Sequence, residues 1–485
     1  MNVFDYFFES TSHLEKDFLL GSKERISFNK LYNDSLKVAS YLNNTVGENQ
    51  NVLLISPNSV FFMTAYLGIL KSGNVCIPLN FAIEQSNLDY ILNKTESTIV
   101  FITKSLKPKI NFNEEVQLID EEESLRIIDD QNIINFNSGF DEDRLAEIIF
   151  TSGSTGEPKG VMISHKNIVA NTSSIMEYLN LGSNDIMCVV LPFFYCYGLS
   201  LLHTHLKVGG SIVLNNNFIF LGTVINDLKN YKCTGFAGVP SHFQILLKKS
   251  QTFKTTDFPD LKYVTQAGGK LHAVFIQDFV KYFPKINFYV MYGQTEATAR
   301  LTYLPPELIK TKDTSIGKAI PGVNLKVVNE KGELVGLDEE GELLAKGDNI
   351  MLGYYKDKIG TKKALKNNWL HTGDMAKVDE DGYFYLMARK KEIIKVGGKR
   401  VSPKEIEEVI LSVPEVVDCT ITGVEDDLLG EAIQATLVLN NKLDEDLMKE
   451  KILQTCSKNL AHYKIPQRIL FETSIKMSST GKKVK

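Results

Sequence analysis

The chain has 485 residues, of which 43% are hydrophobic and 23% charged, and a formal net charge of −5. That length exceeds what one core usually organises, so two or more domains are expected, and the balance is that of a globular protein rather than a disordered one. Mild acidity with basic residues spread along the chain excludes a nucleic-acid binder built on a basic face.

Six cysteines stand at 76, 188, 196, 233, 419 and 456, and no two form a C-x-x-C pair. Neither a zinc knuckle nor a dithiol redox site is expected, and isolated thiols fit a reducing, cytoplasmic setting. The opening MNVFDYFFES has no basic flank ahead of its apolar residues, so a signal peptide is not expected. The greasy stretch near Val60–Leu70 is too short to cross a bilayer, so integral membrane association is not expected either.

Along the chain, residues 26–44 carry apolar or aromatic side chains at Phe28, Tyr32, Leu36, Ala39 and Leu42, which predicts a helix. A buried strand and turn follow at 51–59, then a helix through Phe61, Ala65, Ile69 and Leu70, then short strands at 75–78, 100–103 and 116–119. This strand–helix alternation argues for a layered α/β domain. Residues 120–144 are acidic and Asn-rich with weak periodicity, and read as a surface connection. A helix from about 165 to 178 comes next. Strands at 188–192 and 211–215 flank a helix at 199–209, and segments 233–239, 262–267 and 286–291 continue the alternation. Beyond 310 the short runs VNLKVVNEKG, GELLAKG and GYFYLMAR predict a more antiparallel region with Gly/Asp turns. Near 389 a second, smaller α+β unit begins. Ser402, Pro403 and Glu405 predict a capped helix start, and two strands, a helix at 444–458 and a basic tail complete it. The expected division is 1–388 and 389–485.

Residues 147–160 read EIIFTSGSTGEPKG. An apolar strand runs into small residues that let backbone N–H groups close on an anion, with hydroxyls at Thr151, Ser152, Ser154 and Thr155 and one long-armed cation at Lys159. This is a loop suited to a polyphosphate. It is not a Walker A motif, because Pro158 precedes Lys159 and Gly160 follows it. Nor is it a dinucleotide turn, because the glycines fall at 153, 156 and 160. VMYGQTEA (290–297) puts Thr295 and Glu296 at a strand end, a favoured ligand position; Thr295 suits a phosphate oxygen and Glu296 suits Mg²⁺. The adjacent glycines of QAGGKL (266–271) suit either a flat ring passing the backbone or a tight turn. In WLHTGD (369–374), Asp374 is formed to accept two ribose hydroxyls, with Arg389 following at the end of a hairpin strand.

TSGSTGEPKG resembles the phosphate loop of the adenylate-forming superfamily, which holds acyl-CoA synthetases, peptide-synthetase adenylation domains and firefly luciferases. With the motifs above, the resemblance covers nearly the whole chain. It implies a large N-terminal α/β domain of several subdomains and a smaller mobile C-terminal domain. It also implies an enzyme that adenylates a carboxylic acid with ATP and Mg²⁺, then passes the acyl group to a thiol. Thr151, Ser152, Gly153, Ser154, Thr155, Gly156 and Lys159 are thereby expected at the phosphates. Ala267, Gly268, Gly269, Tyr292 and Gly293 are expected around the nucleotide, Asp374 and Arg389 at the ribose, Thr295 at the α-phosphate and Glu296 on magnesium. SSTGKK resembles the family's terminal segment and makes Lys482 the lysine of the adenylation step. Lys391 matches the hinge, and Lys395, in IIKVGGKR, the face presented for thioester formation.

LPFFYCYGLS (191–200) resembles the family's acyl-site segment, with Tyr195 where many members have histidine. It contains no Asp of the kind that holds an α-amino group. Phe193, Phe194, Tyr195, Tyr197, Val239 and Met291 are expected to line a pocket for an apolar or aromatic acid. Coenzyme A is the expected acceptor. No fused carrier domain is expected, but a discrete acyl carrier protein stays open as the alternative partner. A nonenzymatic nucleotide-binding relative is disfavoured by the presence of Glu296, Asp374, Arg389 and Lys482 together. Oligomeric state is not indicated.

Overall fold

The computed structural model describes residues 1–136, 139–151, 158–389, 394–396, 399–426, 430–440 and 444–474; at 388, 389, 395, 400 and 430 it describes the backbone alone. Among these residues lie four β-sheets. A seven-stranded sheet runs in the order Gly353–Tyr354, Lys159–Ser164, Leu145–Thr151, Val75–Leu79, Asn51–Ile55, Ile99–Ile102, Gln117–Ile119. The last five are parallel neighbours and the first two antiparallel. Val52, Leu53, Leu54 and Ile55 are all fully buried. Such an unbroken apolar run is what a parallel strand covered on both faces requires. Helices Phe28–Val46 and Val60–Lys71 start where Ser27 and Ser59 accept the N–H of Lys30 and Phe62.

The second sheet has nine strands. At its centre Ser211–Leu214, Ile186–Val189, Gly235–Gly238, Tyr263–Gln266 and Asn287–Tyr292 run parallel in that order. The last four of these end beside one another, and the segments that leave them are LPFFYCYG, Val239, AGG and GQTE. A third sheet, of antiparallel strands, is built on Val323–Val328, Gly341–Gly347, Trp369–Val378 and Phe384–Arg389. The fourth belongs to the smaller C-terminal domain and pairs Val416–Asp426 with Gly430–Leu439, backed by helices Pro403–Leu411 and Glu445–Asn459. The result is a large α/β domain followed by a small α+β one. Two contacts tie the C-terminal helix Pro403–Leu411 to the strand-end loop after Gln266: Lys270 with Glu408 at 2.6 Å, and His272 Nε2 with Glu407 Oε2 at 3.7 Å.

Two expectations are corrected. Residues 120–144 are not simply a connection: Glu121–Asp130 is a helix. Asp120 accepts the N–H groups of Glu122 and Glu123, three glutamates occupy the positive end of the helix dipole, and Ile127 and Ile128 are buried. The capping box at Ser402 does not form. The Ser402 hydroxyl donates instead to the Met387 carbonyl at 2.5 Å, and Glu405 pairs with Lys464 at 2.6 Å. All six cysteines are buried.

Candidate functional site

Four strand ends of the nine-stranded sheet define one edge of the candidate site. After Asn287–Tyr292 the chain turns tightly through Gly293: a Cβ there would stand 2.0 Å from the Ala299 carbonyl oxygen, so only glycine fits. The turn buries Thr295 and sets its Oγ1 3.6 Å from Cys196 Sγ, at the start of helix Cys196–Val208. After Tyr263–Gln266, Gly268 takes φ +85° and the Gln266 amide donates to the Gly269 carbonyl at 2.8 Å. The glycine pair is therefore a tight turn. Ala267 is buried beside it.

The phosphate-loop residues Ser152, Gly153, Ser154, Thr155 and Gly156 lie outside the described residues. The stems of the loop are described: Thr151 and Lys159 face each other across antiparallel strands. Lys159 reaches Asp357 at 3.5 Å and lies 4.9 Å over the Tyr354 ring. Tyr354 donates its hydroxyl to Glu296 Oε1 at 2.9 Å. Burial first, then the Glu296 carboxylate, raises the Tyr354 pKa, so the phenol stays a donor. Strand pairing of Gly353 with Met162 and Tyr354 with Val161 locks the arrangement. Tyr354 thus links the loop lysine to the carboxylate expected to meet a metal. One Glu296 oxygen carries this bond; the Glu296 carboxylate would hold Mg²⁺, which would supply charge neutralisation for phosphates.

Asp374 is buried and accepts the Tyr292 hydroxyl at 2.7 Å; its own N–H bonds Thr372 Oγ1 at 3.1 Å. Arg389 is its cross-strand partner. Tyr292, Asp374 and Arg389, read separately from sequence, thus meet at one place.

Phe193, Tyr197, Val239 and Met291 belong to one buried apolar cluster, with Tyr195 half-buried against it. Within that cluster Phe193 packs on Phe62, ring centroids 5.6 Å apart. Tyr197 donates to the Thr265 carbonyl at 2.9 Å, and burial pushes its pKa up to about 12. Lys395 lies in strand Ile394–Val396, opposite Arg400. Lys391 and Lys482 lie outside the described residues. Sequence reading missed Tyr354, Asp357 and Arg300; the first two sit in GYYKD, where no periodicity or spacing marks them out.

Residues 8–355 match the AMP-binding enzyme family and residues 405–482 the AMP-binding enzyme C-terminal domain. Among curated proteins, the chain is 29% identical to an oxalate–CoA ligase of Arabidopsis thaliana over 449 residues, covering 89% of this chain and 86% of that protein. It is 27% identical to a long-chain-fatty-acid–CoA ligase of Salmonella typhimurium, covering 98% and 91%. Its fold matches that of the anthranilate CoA ligase AuaEII in complex with anthranoyl-AMP, at TM-score 0.92 and 23% identity, covering 100% of this chain and 95% of that one. It also matches ATP-bound MatB from Rhodopseudomonas palustris, at TM-score 0.88 and 24% identity over 99% and 97%. The chain belongs to the AMP-binding enzyme family and is an enzyme of the adenylate-forming ligases.

Proposed function

We propose that this protein is an AMP-forming acid–thiol ligase that activates a carboxylic acid and transfers it to coenzyme A. The observation that carries this is the meeting of Glu296, just past the end of strand Asn287–Tyr292, with the loop-stem Lys159 through Tyr354. In the first step a carboxylate oxygen of the acid bonds to the α-phosphorus of ATP, the α–β phosphoanhydride breaks and pyrophosphate leaves. No general base is required, because the acid is already ionised near neutral pH. Mg²⁺ supplies charge neutralisation at the phosphates. Thr295 orients the α-phosphate, Lys159 and the loop hold the β- and γ-phosphates, and Asp374 with Arg389 holds the ribose. Lys482 meets the charge that develops at the α-phosphate. In the second step the thiol sulfur bonds to the acyl carbon, the thiol proton is lost and AMP leaves.

The small domain, residues 389–485, turns about Lys391 between the steps and presents Lys395 in the second. The acid lies against Tyr195, Tyr197, Val239 and Met291, with Phe193 behind them. The CoA ligases among the relatives support coenzyme A as the acceptor. The basic residues Lys399 and Lys404 suit its phosphates, and they suit an acidic carrier protein equally.

Pyrophosphate release with Mg-ATP and a panel of acids, without thiol, tests the first step. Lys482→Ala is expected to lower it at least about 100-fold, whereas Lys395→Ala slows thiol consumption of preformed adenylate more than its formation. Equal adenylation by Lys482→Ala and the parent would remove that lysine from its role. Intact-mass detection of a loaded carrier with no acyl-CoA would replace coenzyme A by a carrier protein.

A further inference from the structure

Arg300 is only 2% exposed and heads the largest fully buried side chains among the described residues. It follows the turn that carries Thr295 and Glu296, and its backbone is clamped: Asn349 Nδ2 donates to its carbonyl at 2.9 Å and Asn171 Nδ2 at 3.4 Å. Its guanidinium lies over the Tyr197 ring, 4.0 Å from the centroid. A guanidinium has five N–H donors. Here Nη1 reaches the Ala299 carbonyl at 3.3 Å, Nη2 reaches Ser200 Oγ at 3.4 Å, the Tyr178 hydroxyl also meets the guanidinium, and Nε has no partner among the described residues. Among the described residues no carboxylate lies within 4.0 Å of it, although many surface lysines have one.

A charge withdrawn from water and left with long bonds to neutral groups is costly unless an anion completes it. The position of the charge suggests where that anion comes from. Tyr197, beneath the guanidinium, is the immediate neighbour of Cys196, whose Sγ touches Thr295. Consecutive Cα atoms lie about 3.8 Å apart, so the first turn of helix Cys196–Val208 joins the reaction centre to the cation. Tyr197, Val239 and Met291 belong to one buried apolar cluster beside it.

We propose that Arg300 binds a second carboxylate on the acid, so that the preferred substrate is a short dicarboxylic acid. One carboxylate takes the adenylyl group, and the other accepts from Nε and Nη2 of the guanidinium above Tyr197. This rests on the ligase reading and narrows its substrate class. That apolar cluster then serves the methylenes between two charged ends, rather than an aromatic ring or a long tail.

The test compares matched acids on the full chain with Mg-ATP: succinate against succinamate and butyrate, and glutarate against glutaramate and valerate. Pyrophosphate release is expected to favour a diacid by roughly 100-fold or more in kcat/KM, because a site built for a polar group rejects analogues lacking it. Arg300→Met is expected to abolish that preference mainly through KM, and Arg300→Lys to keep part of it. Turnover of monoacids or half-amides as fast as diacids, or an unchanged ratio in Arg300→Met, overturns the proposal and leaves the ligase reading standing. Thermal shift in the presence of AMP reads binding without turnover. A diacid-specific shift that is lost in Arg300→Met, with no pyrophosphate released, upholds the role of Arg300 and sinks the ligase reading. If Arg300→Met does not fold, the parent's preference between diacid and half-amide decides alone.

Discussion

At the scale of single residues, the informative side chain is Tyr354. It stands between Lys159 and Glu296, donates to the carboxylate and offers its ring to the ammonium. Removing only the hydroxyl frees the Glu296 carboxylate from that bond. Tyr354→Phe is therefore expected to lower adenylation by about 10-fold and to raise the Mg²⁺ concentration needed for half-maximal rate, with little change in melting temperature. A Mg²⁺ titration of pyrophosphate release reads it, and an unchanged midpoint would make Tyr354 a packing residue only.

At the scale of elements, helix Cys196–Val208 carries the acyl side of the site. It starts without a side-chain cap at Tyr195, and its first turn is set by close approach to the preceding segment. A Cβ on Gly198 would stand 2.1 Å from the Pro192 carbonyl oxygen, so the helix start depends on that glycine. Gly198→Ala forces this backbone apart at an expected cost of about 1–3 kcal/mol, and Tyr197 moves with it. The expected outcome is a lower melting temperature together with a raised KM for the acid at unchanged KM for ATP. Parallel KM increases for both substrates would show general damage instead. The helix itself was legible in sequence; the contact that fixes its start was not, because residues 192 and 198 meet only once the loop is folded.

At the scale of the whole molecule, stability depends on histidines kept neutral by burial. The pKa values of His165 and His203 are pushed down to about 3, and those of His205 and His242 to about 4, from an ordinary 6.5. Below about pH 6.5 the unfolded chain takes up protons at these positions and the folded chain does not, so stability falls as the pH drops from 6.5 toward 4. Glu147 acts in the opposite sense. Burial raises its pKa from 4.5 to about 7 while the Tyr66 hydroxyl donates to it at 2.9 Å, so its contribution is present at low pH and is lost between 4.5 and 7. Burial also raises the pKa values of Glu24 and Asp227, but the four histidines, together with Asp120, Asp185, Asp357 and Asp379, whose carboxyls are held low, make the acid side the weak one. The melting temperature is expected to fall by roughly 5 °C or more from pH 7 to pH 4.5. A flat or rising profile would contradict the burial of these rings.

Sequence alone determined the family, the layered α/β organisation followed by a small α+β unit, and the short segments that bear the chemistry. Hydrophobic period, glycine turns and phosphate-loop composition are local properties, and local properties survive in a string of residues. The acidic helix Glu121–Asp130 escaped because its buried face is narrow, Ser124, Ile127 and Ile128, and the Asn-rich run after it hid the pattern. Only the tertiary structure brought Asp374 onto Tyr292, 82 positions earlier, and Tyr354 onto Glu296, 58 positions earlier. It alone left the Arg300 guanidinium buried over Tyr197 without a carboxylate among the described residues, because burial and pairing are set by elements far apart in the chain.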